Sequence, residues 1–335
     1  MNRKHQILFP YIYTPQSSLK KSMKPQYYLL QVPLHRLCRR LAILLNILKA
    51  ALGLSARWRR KMATAAAAET ISGLELEDDI NGSVVDLTKG LEMTMGSFYI
   101  SKDDPSKPQG QDAHFLLPEF QTFGLADGVG GWSKRGIDSG EYSRELIGHA
   151  VYSIQTRSSN PNPKSVLNEA FTKTEAQGSS TACIVTLDGG AGKLRAVNIG
   201  DSGFVHIRGG VIIYRSPVQQ HSFNRPYQLG KTNDGMDLVE EIVREVEDGD
   251  VIVAGTDGLF DNLHDTEIKG RVRDGRETYV SPEILAWNIA DFAYQQSMNP
   301  YSVSPYRVNS NLVKGEAHYG GKPDDITVIV AYISR

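Results

Sequence analysis

Cysteine is scarce: the 335-residue chain holds two, Cys38 and Cys183. Cys38 lies in a basic amino-terminal stretch and Cys183 in the apolar run 181–187, TACIVTL. A lone cysteine in the body cannot close an internal disulfide, which excludes a disulfide-stapled secreted scaffold. It also argues against thiol catalysis. A reactive thiolate needs cationic neighbours, and the run around Cys183 supplies none. A buried thiol that packs as a small hydrophobe is the plainer reading.

Acid is missing from one end of the chain. Nothing before Glu69 is Asp or Glu, while those 68 residues carry 13 Lys and Arg. Since the whole chain has a net charge of −1, residues 69–335 carry −14. An acidic body repels phosphate backbones, so no nucleic-acid partner is expected. Long apolar runs are absent too. The run 41–54 is interrupted by Asn46 and Lys49 and falls short of the roughly 20 residues that cross a bilayer, so no stable membrane span is expected. No fixed-period repeat is visible. The segment Leu229-Gly-Lys-Thr232 ends like a phosphate-binding P-loop, but Arg225 stands where the first glycine belongs, which excludes a P-loop ATPase.

What the amino terminus does contain is basic and amphipathic. Arg36, Arg39 and Arg40 precede the apolar run, and Arg57, Arg59, Arg60 and Lys61 follow it. That composition fits an organelle transit peptide, directing the protein to a mitochondrion or chloroplast. Two other readings stay open: a helix lying on a membrane surface, and translation from Met62, which would leave the protein in cytoplasm or nucleus. Residues 1–68 are thus read as an extension, 69–95 as a linker and 96–335 as the folded domain.

In the domain, short β-rich runs alternate with helical patterns. Strands are expected over 120–126, 181–187, 194–199, 251–254 and 326–333. A hairpin is expected over 204–214, with Gly209-Gly210 supplying the positive φ of a two-residue turn. Apolar residues at helical spacing mark helices over 139–158, capped by Asp138 or Ser139, over 163–177 and over 282–296. Residues 297–322, rich in Ser, Asn, Tyr, Pro and Gly, read as a long loop. Strands in hairpin order with helices in pairs point to antiparallel sheets packed face to face with helices outside.

Four acidic patches carry the chemistry. They are Gly124-Leu-Ala-Asp-Gly-Val-Gly-Gly-Trp132, Asn198-Ile-Gly-Asp-Ser202, Ala254-Gly-Thr-Asp-Gly-Leu-Phe-Asp261 and Lys322-Pro-Asp-Asp-Ile-Thr-Val328. Each sets an Asp beside an apolar strand. Carboxylates from distant strands can meet only if a positive charge holds them, and a hard divalent cation is the usual one. Glycines beside the acids leave room for backbone or phosphate to approach.

These patches, with Gln111-Asp-Ala-His-Phe115, follow the order and spacing of the metal-dependent protein phosphatases of type 2C. The chain resembles that family over 96–335, and most of all its organellar and plant branch. The resemblance implies an α+β fold, a four-layer α-β-β-α sandwich of two antiparallel β-sheets flanked by helix pairs. It implies two Mg²⁺ or Mn²⁺ ions per domain with a weaker third. It further implies a phosphoserine or phosphothreonine protein substrate, hydrolysed by a metal-activated water without a covalent intermediate. A monomer is expected. Carried over by position, Asp127 would bridge both metals, Gly128 would lend its carbonyl, and Asp257 and Asp324 would be direct ligands and, with Asp127, carry catalysis. Asp201 would help hold the third metal. Asp112 would orient metal-bound water, with Asp325 and Gln111 beside it.

Three departures matter. Gln111 replaces an acid, which lowers the expected metal affinity. Val129 replaces a His that would protonate the leaving group. The expected phosphate-binding Arg is missing, with Lys107 the nearest cation. Gln111 and Val129 keep open a second reading, a catalytically weak phosphatase-fold module that binds or regulates phosphoproteins. A hydrolase of small phosphoesters is a third. Asp261 and Asp265 read as helix caps or surface acids, and His114 and Trp132 as structural.

Overall fold

Val- and Ile-rich runs with a side-chain period of two build the centre of the molecule. The computed structural model describes residues 90–335 except 103, 105–108, 157–159 and 316. The extension read over 1–68, the linker up to residue 89 and Lys107 lie outside the described residues.

The first sheet runs in the order β1 (Glu92–Ile100), β12 (Ile326–Ser334), β11 (Val251–Gly255), β6 (Gly203–Arg208), β7 (Val211–Arg215), and every pairing is antiparallel. The second runs β10 (Glu240–Glu245), β5 (Lys193–Ile199), β4 (Ala182–Asp188), β3 (Thr122–Asp127), β2 (Asp112–Leu117), also antiparallel throughout. A small ribbon of β8 (Gln220–Ser222) and β9 (Arg225–Pro226) stands apart.

Alternation along each strand sorts side chains into three apolar layers. On β12, Ile329, Ala331 and Ile333 face the second sheet, where they meet Phe123, Leu125, Cys183 and Val185. The alternate residues Val328, Val330 and Tyr332 face helices instead. Those helices are α4 (Asp265–Glu277) and α5 (Pro282–Ser297), which bury Ile268, Val272, Leu285 and Ile289. Across the molecule, α1 (Ser139–Gln155) and α2 (Pro163–Lys173) bury Tyr142, Leu146, Val166 and Leu167 against Ala113, Ala126 and Ile184. The result is the four-layer sandwich expected from the sequence. Burying each such Leu, Ile or Val contributes about 1.5–3 kcal/mol.

Caps set the helix starts. The Asp138 carboxylate accepts from Gly140 N at 3.0 Å, and Gly209-Gly210 turns the β6–β7 hairpin with φ of 56° and 76°. Several boundaries differ from the sequence expectation. β1 begins at Glu92, inside the span read as linker. β3 starts at Thr122 because Pro118–Phe120 forms a 3-10 turn that ends on Gln121 at φ 48°. α1 ends at Gln155. α2 stops at Lys173, because Thr174 is extended and the Glu145 carboxylate takes the Glu175 and Ala176 N–H groups at 3.0 and 2.8 Å. The long loop contains a helix, α6 (Pro305–Lys314), capped by Ser304, opened by Pro305 and ended by Gly315 at φ 67°. α4 was not anticipated either. Among the described residues no helix is long and apolar enough to cross a membrane.

Candidate metal centre

One end of the sandwich collects the acids. Asp112 opens β2 and Asp127 closes β3, and the two are opposite partners in the antiparallel register. Asp201 lies between β5 and β6, where the chain passes from one sheet to the other. Asp257 opens the short helix α3 (Asp257–Phe260) directly after β11, and Asp324 and Asp325 precede β12. Gly255 pairs with Val328, so the end of β11 lies beside the start of β12. Five segments thus deliver carboxyls to one rim.

Two hydroxyls fix Asp112: Thr256 Oγ1 and Thr327 Oγ1 donate to its Oδ2 at 2.9 and 2.7 Å. This also ties the second sheet to the first. The other oxygen, Oδ1, is buried and finds no hydrogen-bond partner among the described residues; Asp201 Oδ1 and Asp257 Oδ1 are in the same condition. Asp201 Oδ2 accepts from Gln220 Nε2 at 2.8 Å. Burial, followed by the charges of Asp112, Asp257, Asp324 and Asp201, pushes the Asp127 carboxyl well above the usual carboxylate range. Burial and then Asp325 do the same to Asp112, against the pull of its two hydroxyl partners. Burial and then Asp257 raise Asp201 to about 7 and also raise Asp324.

Glycine serves close backbone packing here. A Cβ on Gly128 would sit 2.4 Å from Ser139 O, and one on Gly258 would sit 1.9 Å from Asp325 O. The close approach is thus made by the protein's own backbone, the start of α1 at Gly128 and the segment before β12 at Gly258.

Other expected residues take different parts. Both oxygens of Asp325 are taken by protein donors, Lys102 N at 2.6 Å, Tyr99 OH at 3.1 Å and Gln111 N at 2.8 Å. It clasps the segment after β1 and the start of β2 to the start of β12, where the resemblance only set it beside Asp112. The Gln111 amide nitrogen donates to Ser139 Oγ, and its backbone carbonyl accepts from Gly128 N at 3.0 Å and Ser143 Oγ at 2.5 Å. That side chain therefore brackets β2 to the start of α1. His114 pairs with Ser97 Oγ at 3.1 Å, and Trp132 Nε1 donates to Ser179 Oγ at 2.6 Å, both structural as expected. Asp265 opens α4 and pairs with Arg215. Cys183 is buried between the sheets, where burial pushes its thiol up to about 12.

Lys322 is the residue that sequence reasoning passed over. Its Nζ donates to Asp257 Oδ2, lies 2.7 Å from Asp261 Oδ2 and lies 3.3 Å from Asp324 Oδ2. Burial alone would lower its pKa, but the three carboxylates together hold it well above the ordinary lysine value. Asp261, read as a cap or surface acid, belongs to this cluster. A lysine two residues before an Asp pair was the available signal. Lys102, with Nζ 3.5 Å from Asp324 Oδ1 and half exposed, is a second cation at the rim.

Among the described residues no group of three or more His, Cys, Asp or Glu side chains is arranged to hold a metal ion. Asp257, Asp261 and Asp324 are gathered around the Lys322 ammonium instead of a common metal point. The donor set nevertheless fits a hard dication. It is all carboxylate, three of its buried oxygens lack partners among the described residues, and its members raise one another's pKa.

The fold is thus a four-layer sandwich that gathers acids from five segments at one rim. No family model matches the chain. Over 250 residues it is 44% identical to "Probable protein phosphatase 2C 55" of Arabidopsis thaliana, covering 74% of this chain and 53% of that protein. Over 255 residues it is 37% identical to "Putative protein phosphatase 2C 24" of Oryza sativa subsp. japonica, covering 73% and 78%. The X-ray structure of the photosystem II phosphatase PBCP matches with a TM-score of 0.66 at 30% identity, over 72% of this chain and 98% of that one. The catalytic domain of PstP, in complex with two manganese ions, matches with a TM-score of 0.53 over 73% of this chain and all of that one; at 15% identity it attests the fold alone. The chain belongs to the protein phosphatase 2C family. It spans little more than half the length of its Arabidopsis relative.

Proposed function

We propose that the chain is a metal-dependent protein serine/threonine phosphatase acting on phosphoserine and phosphothreonine at a two-metal Mg²⁺ or Mn²⁺ centre. The observation that carries this is the rim: five carboxyls from five segments, with Asp127 facing the charges of four others. Asp127, Asp257 and Asp324 would hold the metal pair with the Gly128 carbonyl, and Asp201 would serve a weaker third ion. Bound there, the dications would screen the phosphate and make a water acidic enough to attack it. Asp112, clamped by Thr256 and Thr327, presents its free Oδ1 as an acceptor that orients water at the rim. Lys102, half exposed beside Asp324, is the more open of the two rim lysines and would be placed to meet a phosphate there. Val129 holds no proton to give, so the leaving alkoxide takes its proton from water.

The test is release of phosphate from a phosphothreonine peptide by the full chain, with a small phosphate ester at equal concentration. Turnover that needs Mn²⁺ or Mg²⁺, stops in EDTA and favours the peptide is expected. Undiminished turnover in EDTA would refute the metal reading. Peptide binding without turnover at saturating Mn²⁺ would favour the regulatory module, and preference for the small ester the third reading. Organelle targeting by residues 1–68 is part of the same proposal. Imaging the tagged chain with and without residues 1–61 checks it, and identical distributions would rule it out.

A further inference from the structure

We propose that Lys322 is an internal counter-ion that holds the metal-free rim together and competes with metal for it. The inference rests on the metal-centre reading above.

The fold places this lysine deliberately. Its backbone N–H donates to Asn262 Oδ1 and its carbonyl accepts from Asn262 Nδ2, both at 2.9 Å. Asn262 directly follows Asp261, so the clamp ties the lysine to the segment that carries two of its acids. Gly321 makes the approach possible, since a Cβ there would sit 2.3 Å from Gln296 O and 2.8 Å from Asn262 Oδ1. Pro323 follows and fixes φ on the far side. The side chain is 15% exposed, and its Nζ lies 5.4 Å from the Tyr306 ring centroid. Tyr306 in turn packs on Phe223 and His318 and donates its backbone N–H to Asp261 O at 3.0 Å.

Charge then sets the consequence. Asp257 and Asp324 are assigned to the metals, and Lys322 holds both together with Asp261. One ammonium among three carboxylates neutralises part of their repulsion. A dication arriving at the same carboxylates meets a positive charge a few ångströms away, which weakens its binding. The backbone clamp does not involve the four-carbon stem, so the ammonium can swing aside without unpicking the fold. Lys322 is therefore a positioning residue with two measurable effects of opposite sign. It stabilises the metal-free protein and lowers metal affinity.

The test uses the full chain and its Lys322→Met and Lys322→Gln variants. Mn²⁺ affinity is read by electron paramagnetic resonance of free Mn²⁺, and metal-free stability by calorimetric melting in EDTA. Both variants are expected to bind Mn²⁺ about 10–100-fold more tightly, on the scale of a screened unit charge at this range. Both should melt lower than wild type in EDTA, by about 3–6 °C. An unchanged or weaker affinity, or an unchanged metal-free melt, overturns the proposal. A measurement on the wild type covers variants that do not fold: the Lys322 side-chain ¹⁵N resonance should move as Mg²⁺ saturates the protein, and a fixed resonance also overturns it. A wild-type chain that binds no Mn²⁺ overturns the metal-centre reading as well. That failure is recognised before any substitution is made.

Discussion

Strands β6 and β11 carry a buried charged cluster at each end, and the two clusters are built on opposite rules. Away from the rim, Asp250 accepts from Arg208 Nε and Nη2 and from Glu247 N, each at 2.8 Å, and pairs with His206 Nε2 at 2.7 Å. Burial works against its charge, but Arg208 first, then the Glu247 N–H and His206, hold its carboxyl below the usual range. At the rim, Asp127, Asp112 and Asp201 are pushed the other way, and three carboxylate oxygens find no partner among the described residues. Burial is common to both ends, so burial does not decide the outcome. Partner supply does. A carboxylate with both oxygens taken, as Asp250 has, is a fixture of the fold even though His206 Nδ1 beside it finds no partner among the described residues, whereas carboxylates with open oxygens are a place for something positive.

The sharpest way to break this contrast is to remove one acid from each end. Asp127→Asn deletes the carboxyl that faces four others. Phosphopeptide turnover at saturating Mn²⁺ should fall by at least about 10³-fold, roughly the loss expected when a group central to transition-state charge goes. Melting in EDTA should stay level or rise, because a repelled charge is gone. Near wild-type turnover in Asp127→Asn would remove Asp127 from the site. Asp250→Asn should do the reverse. It removes the charge, keeps one acceptor oxygen and turns the other into an amide donor that faces Arg208 or His206, at a cost of about 2–4 kcal/mol, and the melting temperature should drop by about 5–12 °C. Turnover at a temperature where both proteins are folded should stay within about twofold, the scatter expected of a site outside the chemistry. A stability loss in Asp127→Asn matching that of Asp250→Asn would erase the distinction between the ends.

The rim was legible because each acid follows or opens a strong strand, and strand ends in antiparallel sheets gather at one edge. The sandwich was legible from the alternation in runs such as 251–254 and 326–333. What escaped notice has physical causes. α6 hides in a Ser-, Asn- and Tyr-rich stretch, although Ser304, Pro305 and Gly315 spell its cap, first turn and end. α4 buries only Ile268, Val272 and Gly275, too few for an apolar stripe to stand out. Asp325 and Lys322 sit in a motif quoted for its acids. Which acid clasps backbone, and which cation faces it, depends on partners some 200 residues away for Asp325 and 65 for Lys322. No local pattern encodes such distances.

Gln111→Glu tests the rim more gently. Its backbone carbonyl holds Gly128 N, and its side-chain amide donates to the Ser139 hydroxyl. A carboxylate there can accept from the same hydroxyl and adds charge close to the expected metals. Repulsion by Asp112 offsets part of the gain. The Mn²⁺ concentration for half-maximal activity should fall by about 3–30-fold, a small share of the screened Coulomb energy at this range. An unchanged or raised requirement would mean that residue 111 serves the α1 bracket alone.

The smallest effect belongs to the Asp250 end and concerns pH. Burial lowers the pKa of His206, with Asp250 pulling it upward and Arg208 and Arg244 pushing it down. A histidine whose folded value lies below its unfolded value binds fewer protons in the folded state. Its contribution is therefore complete above the unfolded value of about 6.5 and is lost as pH falls below it, by at most about 1.4 kcal/mol per pH unit. Asp250, held below the usual carboxylate range, keeps its charge through that window and does not blur it. Urea unfolding of the wild type and His206→Gln, in one buffer series from pH 7 to pH 5 with the same Mn²⁺, isolates the term, because titration of the rim is shared by both proteins and cancels. The wild type should lose stability relative to the variant on acidification. A difference that stays constant with pH would show that His206 does not change its proton count on unfolding, and would leave its bond to Asp250 as its whole contribution.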